Sequence, residues 1–222
     1  MTELSSDSMR DVVTLDGPAA SGKSTVAQIV ARRLGVPFVS SGLLYRAATF
    51  LTQRSHVWAS DEATVVGMLG HHDVSLVATP SANRVMVDGV DVTDALTSDE
   101  VDAGVSWVAS LPAVRAWVDA RLREIEGSFV IDGRDMGRQV FPDAVAKAYL
   151  TARPEVRAAR RVGERTADLA AVEAAIRERD LLDVRQSTPA DDAVHVDTSD
   201  LTIDQVVDRV MEHVEACRNR RG

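Results

Sequence analysis

Eight residues near the beginning of the chain restrict its fold more than any other feature. Gly17-Pro18-Ala19-Ala20-Ser21-Gly22-Lys23-Ser24 satisfies the pattern G-x-x-x-x-G-K-[ST] in full. It follows the short apolar run Asp11 to Asp16. It precedes Thr25 to Leu34, where Val26, Ile29, Val30 and Leu34 recur at helical spacing and Gly35 stands at the C-cap position. Strand, glycine-bearing turn and helix, in that order, are the context in which this pattern forms a phosphate-binding P-loop rather than a plain turn. The glycines let successive backbone N–H groups curl toward phosphate oxygens, and the helix adds its positive dipole end. The candidate ATP cradle is therefore Gly17, Pro18, Ala19, Ala20, Ser21, Gly22, Lys23, Ser24 and Thr25, with Lys23 on the β- and γ-phosphates and the Ser24 hydroxyl on Mg²⁺.

Beyond the P-loop the chain alternates apolar strands with helical patterns. Val36 to Ser40, Phe129 to Ile131, Val145 to Ala152 and Ala193 to Val196 read as strands. Leu43 to Arg54, Pro154 to Gly163, Ala170 to Leu182 and Ile203 to Ala216 read as helices. Such interleaving predicts an α/β, three-layer P-loop NTPase fold in which helices cover both faces of a parallel sheet. Val74 to Val77, Val85 to Val87 and Val90 to Val92 interrupt it as β-branched runs separated by Pro80-Ser81-Ala82-Asn83 and Asp88-Gly89. Those turns predict a small antiparallel insert.

Charge and composition remove several classes of function. With 25 basic and 34 acidic residues, net −9, the chain is not expected to grip a nucleic acid polymer. No uncharged run approaches the ~20 residues of a membrane span, and the polar start MTELSSDSMR is not a secretory signal. A single cysteine, Cys217, fits a reducing compartment, so a cytoplasmic location is expected. The five histidines lack metal-ligand spacing. Trp58, Trp107 and Trp117 are read as packing residues, and Asp191-Asp192 as a solvated turn. Arg134 to Arg185 is dense in arginine within this acidic chain, which marks a place to hold compact anions or a helix surface laced with ion pairs. Neither lysine stands in N-K-x-D, since Gly22 precedes Lys23 and Ala146 precedes Lys147, so the guanine-reading motif of GTPase switches is absent.

GPAASGKST, SSGLLYRA (Ser40 to Ala47), VSWVASLPAVR (Val105 to Arg115), IDGRDMG (Ile131 to Gly137) followed by VFPDA, LTARPEVRAARR (Leu150 to Arg161) and RERDLLD (Arg177 to Asp183) resemble, in order, the signatures of bacterial cytidylate kinases. The resemblance spans residues 11 to about 215, and the β insert matches as well. It implies a nucleoside monophosphate kinase domain over 11–222 behind a disordered polar tail, 1–10. The core would comprise 11–40, 129–152 and 193–218, the monophosphate-binding part about 41–128, and an arginine-rich lid about 153–190. The implied activity is ATP- and Mg²⁺-dependent phosphorylation of CMP and dCMP, and a monomer is the expected state.

The same resemblance distributes roles over particular residues. Arg46 and Arg134 would hold the acceptor phosphate as planar forks. Cytosine presents an amino donor beside N3 and O2 acceptors. Asp135 would accept the amino proton and Arg115 would address N3 and O2, with Ser106 assisting, which disfavours uracil. Arg179 and Asp183, four residues apart on one helix face, would meet the sugar, with Ser41 beside them. Tyr45 would pack against the nucleotide or in the core, and Arg185 would reach the acceptor phosphate. Arg157, Arg160 and Arg161 are the lid candidates for the transferring phosphoryl group, to be counted with Lys23 and Arg134 as catalytic. Asp132, at a strand end, would hold Mg²⁺ directly or through water, unless it is merely structural.

Two departures accompany the resemblance. Ser40-Ser41-Gly42 stands where the family has Asp-Ser-Gly, and 184–190 is shorter than the family pattern, so placing Arg185 requires a gap. A kinase of another monophosphate such as UMP, or a non-catalytic ATP-binding switch, remains the alternative reading.

Overall fold

The structure, a computed structural model, describes residues 10–57, 61–79, 82–164, 173–174 and 188–221. Five strands form one parallel sheet: β1 (Val12–Asp16), β2 (Phe38–Ser40), β6 (Phe129–Gly133), β7 (Ala146–Thr151) and β8 (Val194–Asp197). Their spatial order is β2-β6-β1-β7-β8, so the strand that leads into the P-loop is central. All five residues of β1 and of β6 are buried. That is why these strands appear in the sequence as apolar runs without strict alternation.

The sheet separates two apolar layers. Val13, Leu15, Val130 and Leu150 pack on one side with Val26 and Val30 of α1 (Lys23–Leu34) and Val207, Val210 and Val214 of α7 (Ile203–Arg221). On the other side Val12, Val39 and Ile131 meet four helices: α2 (Gly42–Arg54), α3 (Glu62–Leu69), α4 (Asp99–Ser110) and α5 (Pro112–Arg123). Alternation along β1 therefore sends Val13 and Leu15 toward α1 and α7, and Val12, Thr14 and Asp16 the other way. A helix α6 (Pro154–Glu164) follows β7.

Several boundaries move from their sequence positions for identifiable reasons. Helix α1 begins at Lys23 because Gly22, at φ 89°, turns the P-loop directly into the first helical turn; Gly35, at φ 70°, closes it by donating to the carbonyls of Ala31 and Arg32. Strand β6 continues through Asp132 to Gly133, and α7 runs on to Arg221. Helices α3, α4 and α5 lie where the alternation of strands and turns predicts no element. Asp61 and Ser98 cap the first two by accepting from the N–H groups of Thr64 and Val101, and Pro112 opens the third at the position where proline is tolerated.

The antiparallel insert is present as β3 (Val74–Ala78), β4 (Asn83–Val87) and β5 (Val90–Asp91), with Asp88 and Gly89 both at positive φ in the turn between the last two. Asn83 ties it to the main sheet. Its side-chain oxygen accepts from Ser40 N (3.0 Å) and its amide donates to Phe38 O (2.9 Å), so one side chain imitates a further strand along the edge of β2. Asp192 does not stand free in its turn: it accepts from the buried Lys147 ammonium at 2.9 Å. The helical pattern 170–182 apart from residues 173–174, Trp58, the Pro80-Ser81 half of the hairpin turn and the polar tail through residue 9 lie outside the described residues. Among the described residues no helix is long and apolar enough to cross a membrane.

Candidate active site

The P-loop is held in its curl by side chains that engage its carbonyls. Lys23 Nζ donates to Pro18 O (3.1 Å), Arg157 to Ala19 O (3.3 Å) and Arg160 to Ser21 O (3.3 Å). Gly17 adopts φ 150°, and a Cβ there would lie 2.1 Å from the carbonyl oxygen of Leu150 in β7. Only glycine can pass so close to the neighbouring strand. Beneath the loop the Ser24 hydroxyl donates to Asp132 Oδ2. Asp132 is 4% exposed, and burial raises its carboxyl above the usual range against the opposing pull of Lys23 and the Ser24 hydroxyl.

Two cavities meet at this loop. One, of about 440 Å³, is lined by Ser21, Gly22, Thr25, Arg160 and Thr198 and by the apolar side chains of Leu201, Ile203 and Val206. The other, of about 300 Å³, is bounded by Ser41, Tyr45, Arg46, Ser106, Arg115, Arg134 and Asp135. Ala20, Lys23, Ser24 and Arg161 line both. A group held in one cavity can thus face a group held in the other across the lysine of the P-loop.

The second cavity is lined by a buried ion pair. Arg115 Nη2 donates to Asp135 Oδ2 at 2.6 Å, and both side chains are mostly buried. Asp135 Oδ1 is buried and meets no hydrogen-bond partner among the described residues. An unspent acceptor thus sits next to a guanidinium. The Arg115 guanidinium also stacks 5.5 Å from the centre of the Tyr45 ring. Burial pushes the Tyr45 hydroxyl well above its ordinary value, so it stays protonated.

The family model described as Cytidylate kinase matches residues 13–216. The chain belongs to the cytidylate kinase family. Curated relatives named Cytidylate kinase include one from Thermus thermophilus, 52% identical over 93% of this chain and 99% of its own length. Another, from Deinococcus deserti, is 54% identical over 88% of this chain and 95% of its own. Among solved structures, a shikimate kinase from Bacteroides thetaiotaomicron superposes with a TM-score of 0.50 at 15% identity, covering 92% of this chain and 98% of that one, a likeness of fold alone. As a cytidylate kinase family member the chain is a transferase that phosphorylates CMP.

Of the residues singled out in the sequence, the fold of this cytidylate kinase family member gathers most around the two cavities. Ser41 is buried and donates to Asp132 O (2.7 Å), joining the start of α2 to the end of β6. Arg46 lines the second cavity with its guanidinium already oriented by Leu96 O (2.9 Å) and Asp102. The three arginines expected of a lid divide. Arg157 is 4% exposed and committed to Ala152 O (3.0 Å) and Ala19 O. Arg160 bonds Thr198 Oγ1 (3.0 Å) and Thr198 O (2.8 Å), and Arg161 stands at the junction of the cavities. Arg179, Asp183 and Arg185 lie outside the described residues.

Two groups join the site that the sequence motifs do not name. Thr198, at the end of β8, is buried with its hydroxyl within 3.1 Å of Ser21 O and 3.0 Å of Thr151 O, so it supports the P-loop from below. Asp16 accepts from the N–H groups of Met136 and Gly137, both at 2.8 Å. Its one sequence signal is a charged residue ending a fully buried strand immediately before Gly17. Such a carboxylate needs a partner.

Proposed function

We propose that this chain transfers the γ-phosphoryl group of ATP directly, in line, to a phosphate oxygen of CMP or dCMP, acting as a cytoplasmic monomer in pyrimidine nucleotide metabolism. The observation that carries the substrate assignment is the Arg115–Asp135 pair with the unpartnered Asp135 Oδ1 beside it. Cytosine offers its amino donor next to acceptors, which is the complement of an acceptor next to a guanidinium. Uracil has an oxygen in place of the amino group, and that oxygen would face a buried carboxylate. Ser106 lies on the same cavity wall and supports the base.

ATP would lie over the other cavity, its base against Leu201, Ile203 and Val206 and its phosphates on the P-loop N–H groups and Lys23. Hard oxygen donors suit Mg²⁺, and the Ser24 hydroxyl in contact with the Asp132 carboxylate supplies two, leaving positions for phosphate oxygens and water. Bound there, the ion would neutralise charge on the phosphates. Ser40 replaces the family carboxylate at this point, so Asp132 is the acidic group at the heads of β2 and β6.

The acceptor phosphate, with a second pKa of about 6, is largely ionised at neutral pH, so the reaction requires no general base. What the residues contribute is alignment and charge stabilisation. Arg46 and Arg134 orient the acceptor phosphate, and Lys23 and Arg161, at the junction of the cavities, lie where the phosphoryl group crosses. Arg160 and Arg157 hold the lid helix onto the P-loop carbonyls. Ser41, Arg179 and Asp183 are assigned to the sugar and Arg185 to the acceptor phosphate by resemblance to the family pattern.

A coupled assay of ADP release with MgATP and each of CMP, dCMP, UMP, AMP and GMP tests this. Turnover with CMP and dCMP, little with UMP, and loss in Lys23→Ala are expected. ADP release independent of every acceptor would overturn it.

A further inference from the structure

Asp16 belongs to the strand that leads into the P-loop, yet both of its carboxylate oxygens serve the loop that reads the acceptor. The alternation of β1 turns its side chain away from α1 and α7, toward the loop that follows β6. There the chain makes one wide π-type turn over Met136–Val140, with Phe141 N donating to Met136 O at 2.7 Å. The first N–H groups of a helical turn have no partner inside it. Those of Met136 and Gly137 point at Asp16, one to each oxygen, at 2.8 Å. The loop is pressed down as well as bonded: a Cβ on Gly137 would lie 2.6 Å from Thr14 Oγ1, two residues before Asp16 on the same face of β1.

We propose that Asp16 is a positioning residue for base selection: its carboxylate fixes Met136 and Gly137 so that Asp135 and Arg134, the preceding residues of that loop, stand at set places relative to the P-loop. The inference rests on the reading of Asp135 as the cytosine acceptor. The residue after Asp16 is Gly17, which is locked against Leu150 of β7. One side chain therefore gears the donor and acceptor halves of the site together, and 119 residues separate Asp16 from Asp135 in the chain, from positions 16 and 135. The charges that act on Asp16 are Lys23 from α1, which favours the carboxylate, and Asp135 itself, which opposes it. Burial, the largest influence, raises its carboxyl to about 6, so at neutral pH the charge is kept in place at the expense of stability.

Asp16→Asn is nearly isosteric but sets an amide donor against one of the two N–H donors. Kinetics of this variant and the wild type, varying CMP, UMP and ATP separately, provide the first test. The expected result is a rise in KM for CMP of about ten- to a hundredfold, a comparable fall in the preference for CMP over UMP, and a KM for ATP changed less than either. Unchanged acceptor parameters, or equal losses for ATP and CMP, would overturn the proposal. The second test needs no variant: amide hydrogen exchange at Met136 and Gly137 in the wild type, from pH 8 to pH 5, alongside the affinity for cytidine, which has no titrating phosphate. Protection and cytidine affinity falling together support the clamp, and protection that is absent at pH 8 or that fails to follow affinity overturns it. Exchange at these amides reports the clamp whether or not CMP is turned over, whereas an inactive wild type would count against the substrate reading instead.

Discussion

Arg115 Nη2 and Asp135 Oδ2 lie 2.6 Å apart in the second cavity beside the P-loop, contributed by α5 and by the turn after β6. The pair neutralises two mostly buried charges and presents a donor and an acceptor side by side, which neither residue could do alone. Asp135→Asn keeps the shape but replaces an acceptor with a donor. The expected result is a fall in kcat/KM for CMP of about a hundredfold or more, with UMP affected far less. Steady-state kinetics on the two nucleotides check this, and equal losses would remove Asp135 from base reading.

The contact between Ser24 and Asp132 defines the metal prediction. Asp132→Asn removes the carboxylate at the heads of β2 and β6 while preserving its volume. The Mg²⁺ concentration for half-maximal activity should rise about ten- to a hundredfold, whereas affinity for CMP in the absence of metal should hold. Titration with Mg²⁺ at saturating nucleotide decides it.

Arg157 and Arg161 are one helical turn apart and are expected to fail in different ways. Arg157 is buried, and its guanidinium serves two backbone carbonyls. Its replacement by methionine should lower stability by about 2–4 kcal/mol. Arg161→Met, at the junction of the cavities, should cost less stability than the Arg157 replacement and reduce kcat by about a hundredfold. Thermal unfolding and kcat measured on both variants separate the two roles, and the opposite pattern would exchange them.

Asp16 makes a prediction about stability that is independent of its effect on catalysis. Burial lifts its carboxyl from 3.8 to about 6, with the N–H groups of Gly137 and Met136 pulling the other way. Because the folded value exceeds the unfolded one, the folded state holds more protons in between. Stability from this group is therefore fully present below about pH 4 and is lost as pH rises through about 6, by on the order of 3 kcal/mol. Asp16→Asn has no such titration. Urea unfolding of both proteins from pH 4 to pH 7 should show the wild type losing ground to the variant across that window, and parallel curves would contradict the shift.

Much of the architecture was legible because buried parallel strands and P-loops leave local marks. The run ending at Asp16, the glycines at 17 and 22 and the helical spacing of Val26 and Val30 all reappear in β1, the loop and α1. Asp88-Gly89 likewise foretells its hairpin. Helices α4 and α5 went beyond that reading although Val101, Val105 and Val108 stand at helical spacing and are buried. These helices carry the motif residues Ser106 and Arg115. Asn83 read as a turn residue, because nothing local tells that its amide will pair with the edge of β2.

Residue types at short spacing mark a phosphate cradle at 17–24 and arginines for anions, and the resemblance to the family adds an aspartate and an arginine for cytosine. Which of these groups act together follows from the packing of the sheet. The strand order β2-β6-β1-β7-β8 sets Asp132 under Ser24, Thr198 under Ser21 and Asp16 under Met136, partners separated by more than a hundred residues in each case. The same packing turned Arg157 inward to the P-loop while Arg161 stayed between the cavities. Hydrogen bonds form between groups that the packed sheet brings within about 3 Å of each other, and no periodicity along the chain records that meeting.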